Sequence, residues 1–247
     1  IEGLSQSPAQ DHFYLETQAA RAEMRENNCI HVFSSTQHPT EIQKMTAHVL
    51  GISSNRVVCE VPRMGGGFGG KESQATQLGV FAALGAWYTK KSVKCWLDRD
   101  TDMKYTGKRH PFQSQYRAWF DSEHKIKGLH VYIYSNGGWT RDLSIPVMDR
   151  ALFHLDNAYH IPNLVFVGRV CKTNIPSNTA FRGFGGPQGI LVVEEVINSY
   201  CERMNLDPAL VRQRNYYRDE TNVAPFGQVI PKPRLVRMHN ALCESAN

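Results

Sequence analysis

Residues 65–72 (GGGFGGKE) and residues 173–188 (TNIPSNTAFRGFGGPQ), here called the first loop and the second loop, determine how this chain is interpreted. Both contain the tetrapeptide Gly-Phe-Gly-Gly, and a helical pattern follows each of them. Glycine permits positive φ and a close approach of the backbone to a ligand, and free N–H groups at a helix start bind anions. We therefore expect one binding site built from both loops, with Phe68 and Phe184 beside it. Two tight turns that anchor phenylalanines in the core are about equally consistent with these residues.

The first loop also matches two nucleotide-binding patterns. Gly65, Gly67 and Gly70 fit GxGxxG, and Asp98 lies at the end of the next predicted strand, where a dinucleotide fold places a ribose-binding acid. The loop fits GxxxxGK as well, but Glu72 replaces the Ser or Thr that would bind magnesium, and its carboxylate would repel phosphate. The later strands are predicted to be antiparallel, whereas a dinucleotide fold needs repeated parallel crossovers. A nucleotide-binding module is therefore kept only as a minor alternative.

Outside the loops, the pattern of apolar residues predicts both helices and strands. Residues 112–120 and 126–135 form a predicted antiparallel hairpin, and Asp207 with Pro208 forms a capped helix start. Regular alternation of strand and helix is not visible, which indicates an α+β fold. The other predicted strands are residues 29–35, 56–62, 93–97 and 164–170, and the other predicted helices are residues 39–50 (with Thr40 as N-cap), 71–88, 187–203 and 239–245.

Composition excludes several classes of function. The formal net charge of +5 comes from scattered Lys and Arg residues, so no nucleic-acid interface is expected. The six cysteines include no CxxC pair, which predicts free thiols in a reducing, cytoplasmic environment. The sequence contains no signal peptide and no long apolar stretch, so no membrane association is expected. Strand-like and helical patterns run to both termini, and we expect both ends to lie inside a larger protein.

Several further segments share motifs with one known family. Together with the two loops, residues 10–17 (QDHFYLET), 97–102 (LDRDTD), 107–112 (GKRHPF) and 149–154 (DRALFH) resemble the molybdenum-cofactor-binding domain of the xanthine dehydrogenase/oxidase family. The similarity runs in order over nearly the whole chain. It implies an α+β fold with mixed sheets and flanking helices. It also implies that residues 1–247 are part of the molybdopterin-binding domain, whose C-terminal remainder this chain lacks.

The resemblance implies a chemistry and a set of partners. Members of this family hydroxylate hypoxanthine and xanthine to urate at a molybdenum cofactor held by a pterin dithiolene. Their electrons pass through 2Fe-2S clusters and FAD, on other domains or subunits, to NAD. The implied partners are a purine substrate, the remainder of the molybdenum domain, and the iron–sulfur and FAD modules in a dimeric assembly. An aldehyde or N-heterocycle hydroxylase of the same superfamily is the alternative.

The resemblance also implies which residues contact the cofactor. The Gln10 side-chain amide is expected to hydrogen-bond the apical oxo group of the molybdenum. Phe68 and Gly69 are expected to lie beside the metal, and Arg182 beside the metal and the pterin. Molybdenum in this family has no protein side-chain ligand, so no residue is assigned as one.

Three residues are expected to bind the substrate. Phe184 stacks on the purine ring, Glu72 hydrogen-bonds it, and Arg150 donates to its carbonyl oxygen, where negative charge grows in the transition state. Aldehyde oxidases usually lack both polar residues, so Glu72 with Arg150 favours a purine. Without the resemblance, Glu72 would be an ordinary first-turn glutamate and Arg150 a surface partner of Asp149. The family's catalytic base lies in a later segment, so no residue here is assigned to it, and the chain alone is expected to be inactive.

Overall fold

A computed structural model describes residues 1–246 of the chain. The strands are β1 (Glu2–Ser7), β2 (Ala19–Arg25), β3 (Cys29–Ser34), β4 (Val57–Glu60), β5 (Val93–Trp96), β6 (Phe112–Phe120), β7 (Ile126–Gly138) and β8 (Leu164–Lys172). The α-helices are α1 (Pro39–Leu50), α2 (Ala75–Thr89), α3 (Arg99–Tyr105), α4 (Ser144–Phe153), α5 (Gly186–Met204), α6 (Pro208–Asn215) and α7 (Leu235–Ala246). These strands form two four-stranded mixed sheets with helices packed on them, which confirms the α+β prediction.

The first half of the chain builds one sheet in the order β4-β3-β2-β5. β3 and β4 are parallel and are connected through α1, whereas β2 is antiparallel to both β3 and β5. Alternate residues of β3 point inward, and Ile30 and Val32 are fully buried there. They pack with Ile42 of α1 and with Leu78 and Ala82 of α2 in one apolar core.

The second half, together with the N-terminal strand β1, builds the other sheet in the order β1-β6-β7-β8. β7 and β8 are parallel and are connected through α4, and β6 is antiparallel to β1 and β7. Buried and exposed residues alternate strictly along β6 up to its last residue. This explains why its sequence predicts a strand with one solvent-exposed face. Val131, Ile133, Val193 and Ile197 belong to the fully buried core between this sheet and the helices α4 and α5.

Most predicted elements are confirmed, and the differences have local causes. Helix 39–50 is present, but its N-cap is His38 and not Thr40, because Pro39 already occupies the first helical position. The helix predicted from residue 71 begins at Ala75, since the preceding residues form turns. The sequence did not predict β2, whose alanine-rich run lacks the β-branched side chains that mark a strand. It also did not predict β1, α3 and α4.

The dinucleotide-binding alternative is wrong. Asp98, its candidate ribose-binding acid, caps α3 instead by accepting a 2.9 Å hydrogen bond from the Thr101 N–H. The strand that precedes Asp98 is antiparallel to its neighbour, whereas a dinucleotide fold requires a parallel sheet. Of the helices within residues 1–246, none is long and apolar enough to cross a membrane.

Candidate functional site

The Gly-Phe-Gly-Gly tetrapeptides of the two loops form the same kind of turn. In the first, the Gly70 N–H donates to the Gly67 carbonyl at 2.8 Å, and in the second the Gly186 N–H donates to the Gly183 carbonyl at 3.0 Å. The two central residues of each turn have positive φ, 54° and 99° in the first and 52° and 96° in the second. This is the pattern of a type I′ turn. A phenylalanine at positive φ is strained, and such strain occurs mainly where the surrounding structure fixes the backbone.

The two loops contact each other through their backbones. The Arg182 N–H donates to the Phe68 carbonyl at 2.8 Å. A Cβ atom at Gly69 would lie 2.6 Å from the Ala180 carbonyl oxygen, so only glycine allows this approach. The structure therefore brings together Phe68, Gly69 and Arg182, three of the four residues predicted to contact the cofactor.

Gln10, the fourth of these residues, is connected to the second loop through the side chain of Arg109. The Gln10 side-chain oxygen accepts a 2.6 Å hydrogen bond from Arg109 Nε, and the Arg109 N–H donates to the Gln10 carbonyl at 3.0 Å. A second guanidinium nitrogen of Arg109 donates to the Arg182 carbonyl at 3.0 Å. Since its oxygen is held in this way, the Gln10 amide nitrogen is left as a donor with no partner in residues 1–246.

The structure adds a residue that the sequence analysis missed. The Gln37 side-chain oxygen accepts hydrogen bonds from the Gly69 N–H at 2.8 Å and the Lys71 N–H at 3.3 Å. Its amide nitrogen has no partner among residues 1–246, and the side chain is exposed. Gln37 follows β3 in an ordinary polar segment, so no signal in the sequence singles it out. Only the folded chain shows that Gln37 presents a free amide donor beside Phe68, as Gln10 does beside Arg182.

An ion pair between a buried lysine and a partly exposed glutamate supports the first loop. Lys71 is completely buried, and its ammonium contacts Glu16 at 3.1 Å and the Ser35 hydroxyl at 2.7 Å. The Glu16 carboxylate also accepts the Gly65 N–H at 2.8 Å. Burial raises the pKa of Glu16, but the hydrogen bonds from Ser35, Gly65 and Lys71 outweigh this and hold its pKa below the usual value. The carboxylate therefore stays ionised and ties the two ends of the first loop together.

Glu72, the predicted purine-binding carboxylate, has no such partner. Its side chain makes no hydrogen bond or ion pair within residues 1–246. Burial raises its pKa above the usual value, and the nearby carboxylates of Asp142 and Glu41 add to this while His38 opposes it. Asp142 accepts short hydrogen bonds of 2.6 Å from Ser73 and from Gln74, the two residues after Glu72. Glu72 is thus a free carboxylate that holds its proton more tightly than usual.

Arg150 and Phe184 lie on one packed unit in the other half. α4 carries Arg150 and packs on the second loop so closely that a Cβ at Gly185 would clash with the Val147 carbonyl oxygen. Phe184 is half-buried against the core of this half, whereas the Arg150 side chain is exposed. Asp142, which is tied to the segment after Glu72, lies two residues before α4. No hydrogen bond or ion pair joins the side chains of Glu72 and Arg150.

Two concave surfaces flank this region. One, of about 620 Å³, lies beside the residues that follow Glu72 and is lined by Ser73, Gln74, Trp139 and Asp142 among others. The other, of about 690 Å³, is lined on one side by Asp149, next to Arg150. Neither is lined by any of the seven predicted site residues. The loops therefore present an open surface, and the concavities lie to its sides.

The donor set of this surface suits an anionic group that is rich in acceptor atoms. The amide nitrogens of Gln10 and Gln37 are free donors. The guanidinium of Arg109 adds a positive charge beneath the surface, since one of its nitrogens is buried without a partner in residues 1–246. The bare Cα of Gly69 leaves no side chain between the loops. The described residues contain no group of three or more His, Cys, Asp and Glu side chains placed to hold a metal ion. A metal bound through an organic, negatively charged ligand would find matching donors here.

Comparison with known proteins gives a consistent result. The model of the family described as molybdopterin cofactor-binding domain matches residues 1–216. The chain is 48% identical over 218 residues to xanthine dehydrogenase from Calliphora vicina, a match that covers 88% of this chain and 16% of that protein. It is 46% identical over 248 residues to xanthine dehydrogenase/oxidase from Gallus gallus, which covers 100% of this chain and 18% of that protein. The chain thus spans about one sixth of the length of these relatives.

Solved structures share the fold at lower identity. The aldehyde oxidoreductase from Desulfovibrio desulfuricans superposes with a TM-score of 0.91 at 23% identity, over 99% of this chain and 27% of that chain. Quinoline 2-oxidoreductase from Pseudomonas putida superposes with a TM-score of 0.85 at 20% identity, over 100% of this chain and 32% of that chain. At these identities the likeness establishes the fold alone.

Proposed function

Because the chain belongs to the molybdopterin cofactor-binding domain family, we propose that it forms one wall of the active site of a xanthine dehydrogenase, which oxidises hypoxanthine and xanthine to urate. The observation that carries this proposal is the meeting of the two loops at the hydrogen bond from the Arg182 N–H to the Phe68 carbonyl. It gathers, at one surface, segments that lie more than 100 positions apart in the sequence. The identity of 46–48% to xanthine dehydrogenases supports the choice of activity.

In this proposal, the residues of the two loops hold and orient the cofactor. Bound there, the molybdenum cofactor supplies the oxygen atom, derived from water, and takes up two electrons. Gln10 donates its free amide N–H to the cofactor, and Phe68 and Gly69 line its other side with backbone. Arg182 contributes positive charge next to the pterin. Gln37 has the same free amide as Gln10 and is the competing candidate for the donor role.

The purine is held by three groups from both halves of the chain. Phe184 offers a ring face for stacking, and Arg150 donates to the carbonyl oxygen of the purine, which becomes more negative during hydroxylation. Glu72 hydrogen-bonds a ring N–H and takes or returns a proton there as the ring rearranges. Its raised pKa suits this role, since a group that transfers a proton both ways works best when its pKa is near the working pH.

In this proposal, the groups that carry electrons away from the molybdenum cofactor lie outside residues 1–247. We propose that 2Fe-2S clusters and FAD on other domains or subunits carry the electrons to NAD, within a dimeric assembly. The relatives' much greater length leaves room for these modules. We place the enzyme in the cytoplasm, and the six free cysteines are consistent with a reducing compartment.

The proposal is tested on the full-length enzyme, purified from a host that makes the molybdenum cofactor. Urate formation from xanthine with NAD, together with bound molybdenum, is the expected result. The variant Glu72→Val/Arg150→Met should lose most purine turnover and keep its molybdenum, whereas the matched surface variant Arg203→Met should keep both. Bound molybdenum with turnover of aldehydes but not of xanthine would overturn the purine assignment and leave the family membership intact.

A further inference from the structure

His12 lies where the two loops meet, although the sequence analysis assigned it no role in the site. Its Nε2 lies 2.7 Å from the Ala180 carbonyl oxygen of the second loop, and its ring stacks on Phe181 with the ring centres 4.6 Å apart. The ring also lies against the first loop, because a Cβ atom added to Gly70 would lie 2.7 Å from the His12 Cγ. One side chain therefore contacts both loops, and we call its contacts with Gly70 and Ala180 the loop joint.

The Ala180 carbonyl oxygen is the centre of the loop joint. A Cβ atom at Gly69 would lie 2.6 Å from this oxygen, so the backbone of the first loop passes directly beside it. Ala180 is only 1% exposed, so water hardly reaches its carbonyl group. A buried carbonyl needs a hydrogen-bond donor from the protein, and His12 supplies one.

The protonation state of His12 follows from its partner and its burial. A carbonyl oxygen only accepts hydrogen bonds, so Nε2 of His12 carries a proton. Burial lowers the pKa of His12, which its hydrogen bond to Ala180 and the charge of Asp11 oppose. The charges of Lys108 and Arg109 add to the effect of burial, and the pKa lies below its usual value. At neutral pH, His12 is therefore an uncharged ring that donates through Nε2 without burying a charge.

The loop joint lies close in sequence to two groups that are proposed to bind the purine. Gly70 is two positions before Glu72, and Ala180 is four positions before Phe184. A shift of one loop against the other would therefore move Glu72 relative to Phe184. A displacement of about 1 Å in such groups can lower a reaction rate about 100-fold.

We propose that His12 is a positioning residue, which sets the spacing of the two loops through its hydrogen bond to Ala180 and the contact of its ring with Gly70. Its effect on turnover rests on the proposed function, because Glu72 and Phe184 are the proposed substrate-binding groups. Its effect on the loop joint does not, because that depends only on contacts within the chain. The two effects are therefore measured separately on the full-length holoenzyme.

Two substitutions separate the hydrogen bond of His12 from its ring. His12→Phe keeps an aromatic ring but cannot donate to the Ala180 oxygen. His12→Gln keeps an N–H donor at the same number of bonds from Cα but has no ring. Lys71→Met serves as the comparison for damage to the first loop alone, and His48→Phe, at an exposed position of α1, is the matched surface control.

Hydrogen exchange in peptides that cover residues 65–72 and 173–188 measures the loop joint. His12→Phe leaves the buried Ala180 oxygen without this donor, so exchange should become about 10-fold faster in both loops. Lys71→Met should accelerate exchange in the first loop alone, and His48→Phe in neither. Exchange in His12→Phe that is faster in one loop only, or unchanged in both, would overturn the proposal.

Steady-state kinetics with xanthine and NAD measure the positioning of the substrate. In His12→Phe, kcat should fall about 100-fold at unchanged molybdenum content, with a smaller change in KM, because the purine still binds but is held in a wrong orientation. His12→Gln restores the donor and should lose only about 10-fold. Equal losses in the two variants would overturn the role of the hydrogen bond. A merely structural role would lower the melting temperature and leave kcat of the folded, loaded enzyme unchanged, which would overturn the positioning role.

The remaining outcomes also decide. If His12→Phe does not fold, His12→Gln is the test: loss of the ring should still accelerate exchange in both loops, and unchanged exchange would overturn the proposal. If the unsubstituted enzyme contains molybdenum but does not oxidise xanthine, faster exchange in both loops of His12→Phe would support the loop joint and overturn the purine function alone. Xanthine turnover in the unsubstituted enzyme with unchanged exchange in His12→Phe would overturn the loop joint and keep that function.

Discussion

The two halves of the chain repeat one arrangement that its sequence does not reveal. In the first half, β2 and β3 are followed by α1, the parallel strand β4, a Gly-Phe-Gly-Gly turn and α2. In the second, β6 and β7 are followed by α4, the parallel strand β8, another such turn and α5. Each sheet is completed by a fourth strand at the same edge, β5 in one half and β1 in the other. One supersecondary unit therefore presents each loop, and the two loops meet.

The two turns are alike in backbone but differ in what holds them. Phe68 is 47% exposed, and the first loop is held by the charged contacts of Lys71 and Glu16. Phe184 packs on the core, and the second loop is held by the close approach of Gly185 to α4. Within its own half, the same strained turn is thus supported by an ion pair in one case and by packing on a helix in the other. Substitutions that remove the charge or the packing should therefore affect one loop more than the other.

The largest effect is expected from Gly185→Ala. The added Cβ would clash with the Val147 carbonyl oxygen while the backbone stays at a φ of 96°, so α4 and the second loop must separate. Strain and overpacking together should cost about 4 kcal/mol. Hydrogen exchange of the α5 amides in the full-length protein measures this locally. Gly51→Ala is the control, since its φ of 66° is similar but nothing lies within 4 Å, and it should cost only about 1 kcal/mol.

Lys71→Met should destabilise the first loop and leave the second intact. The substitution removes a fully buried ammonium, so the Ser35 oxygen loses its donor and the Glu16 carboxylate loses its counter-ion while keeping the Ser35 and Gly65 donors. We expect the local free energy of opening to fall by about 2–3 kcal/mol. The loss of hydrogen-exchange protection should be confined to amides of α2 and the first loop. Lys44→Met, on an exposed position of α1, serves as the control. Equal loss of protection in α5 would show that the two loops are not supported independently.

Alanine in place of the two phenylalanines should separate their roles. Phe184→Ala removes a ring packed on the core and should cost about 2 kcal/mol in urea unfolding. Phe68→Ala removes an exposed ring and should cost less than about 1 kcal/mol, because little apolar surface is lost from the interior. Equal costs would contradict the division between a packed and a charge-supported turn.

The smallest effect is a pH dependence at Glu72. Its pKa is raised in the folded chain, so the unfolded chain binds fewer protons there in the window just above the ordinary glutamate pKa. The contribution of Glu72 to the free energy of unfolding therefore falls as pH rises through that window. Glu72→Gln should therefore be more stable than the unsubstituted protein at pH 7 by less than about 1 kcal/mol, and the advantage should vanish at acidic pH. Urea midpoints measured across pH test this, and an advantage independent of pH would contradict it.

The candidate site could be predicted in part from the sequence. The two loops, with Phe68, Gly69 and Arg182, stand out because glycine-rich segments signal special backbone geometry. Gln37 and Arg109 gave no signal, since each is one polar residue among many. Their importance depends on partners 32 and 99 positions away in the sequence.

The sequence by itself determined most of the elements and the positions of the two turns. Apolar alternation fixes β6, and the glycines of the Gly-Phe-Gly-Gly segments permit tight turns, because these are local properties of a few residues, whereas the positive φ of Phe68 and Phe184 depends on the surrounding structure. The tertiary structure decided the repeated arrangement of the halves, the pairing of Lys71 with Glu16, and the unpaired charge of Arg109. Burial and charge compensation depend on which distant segments exclude water together, and only the packed chain settles that.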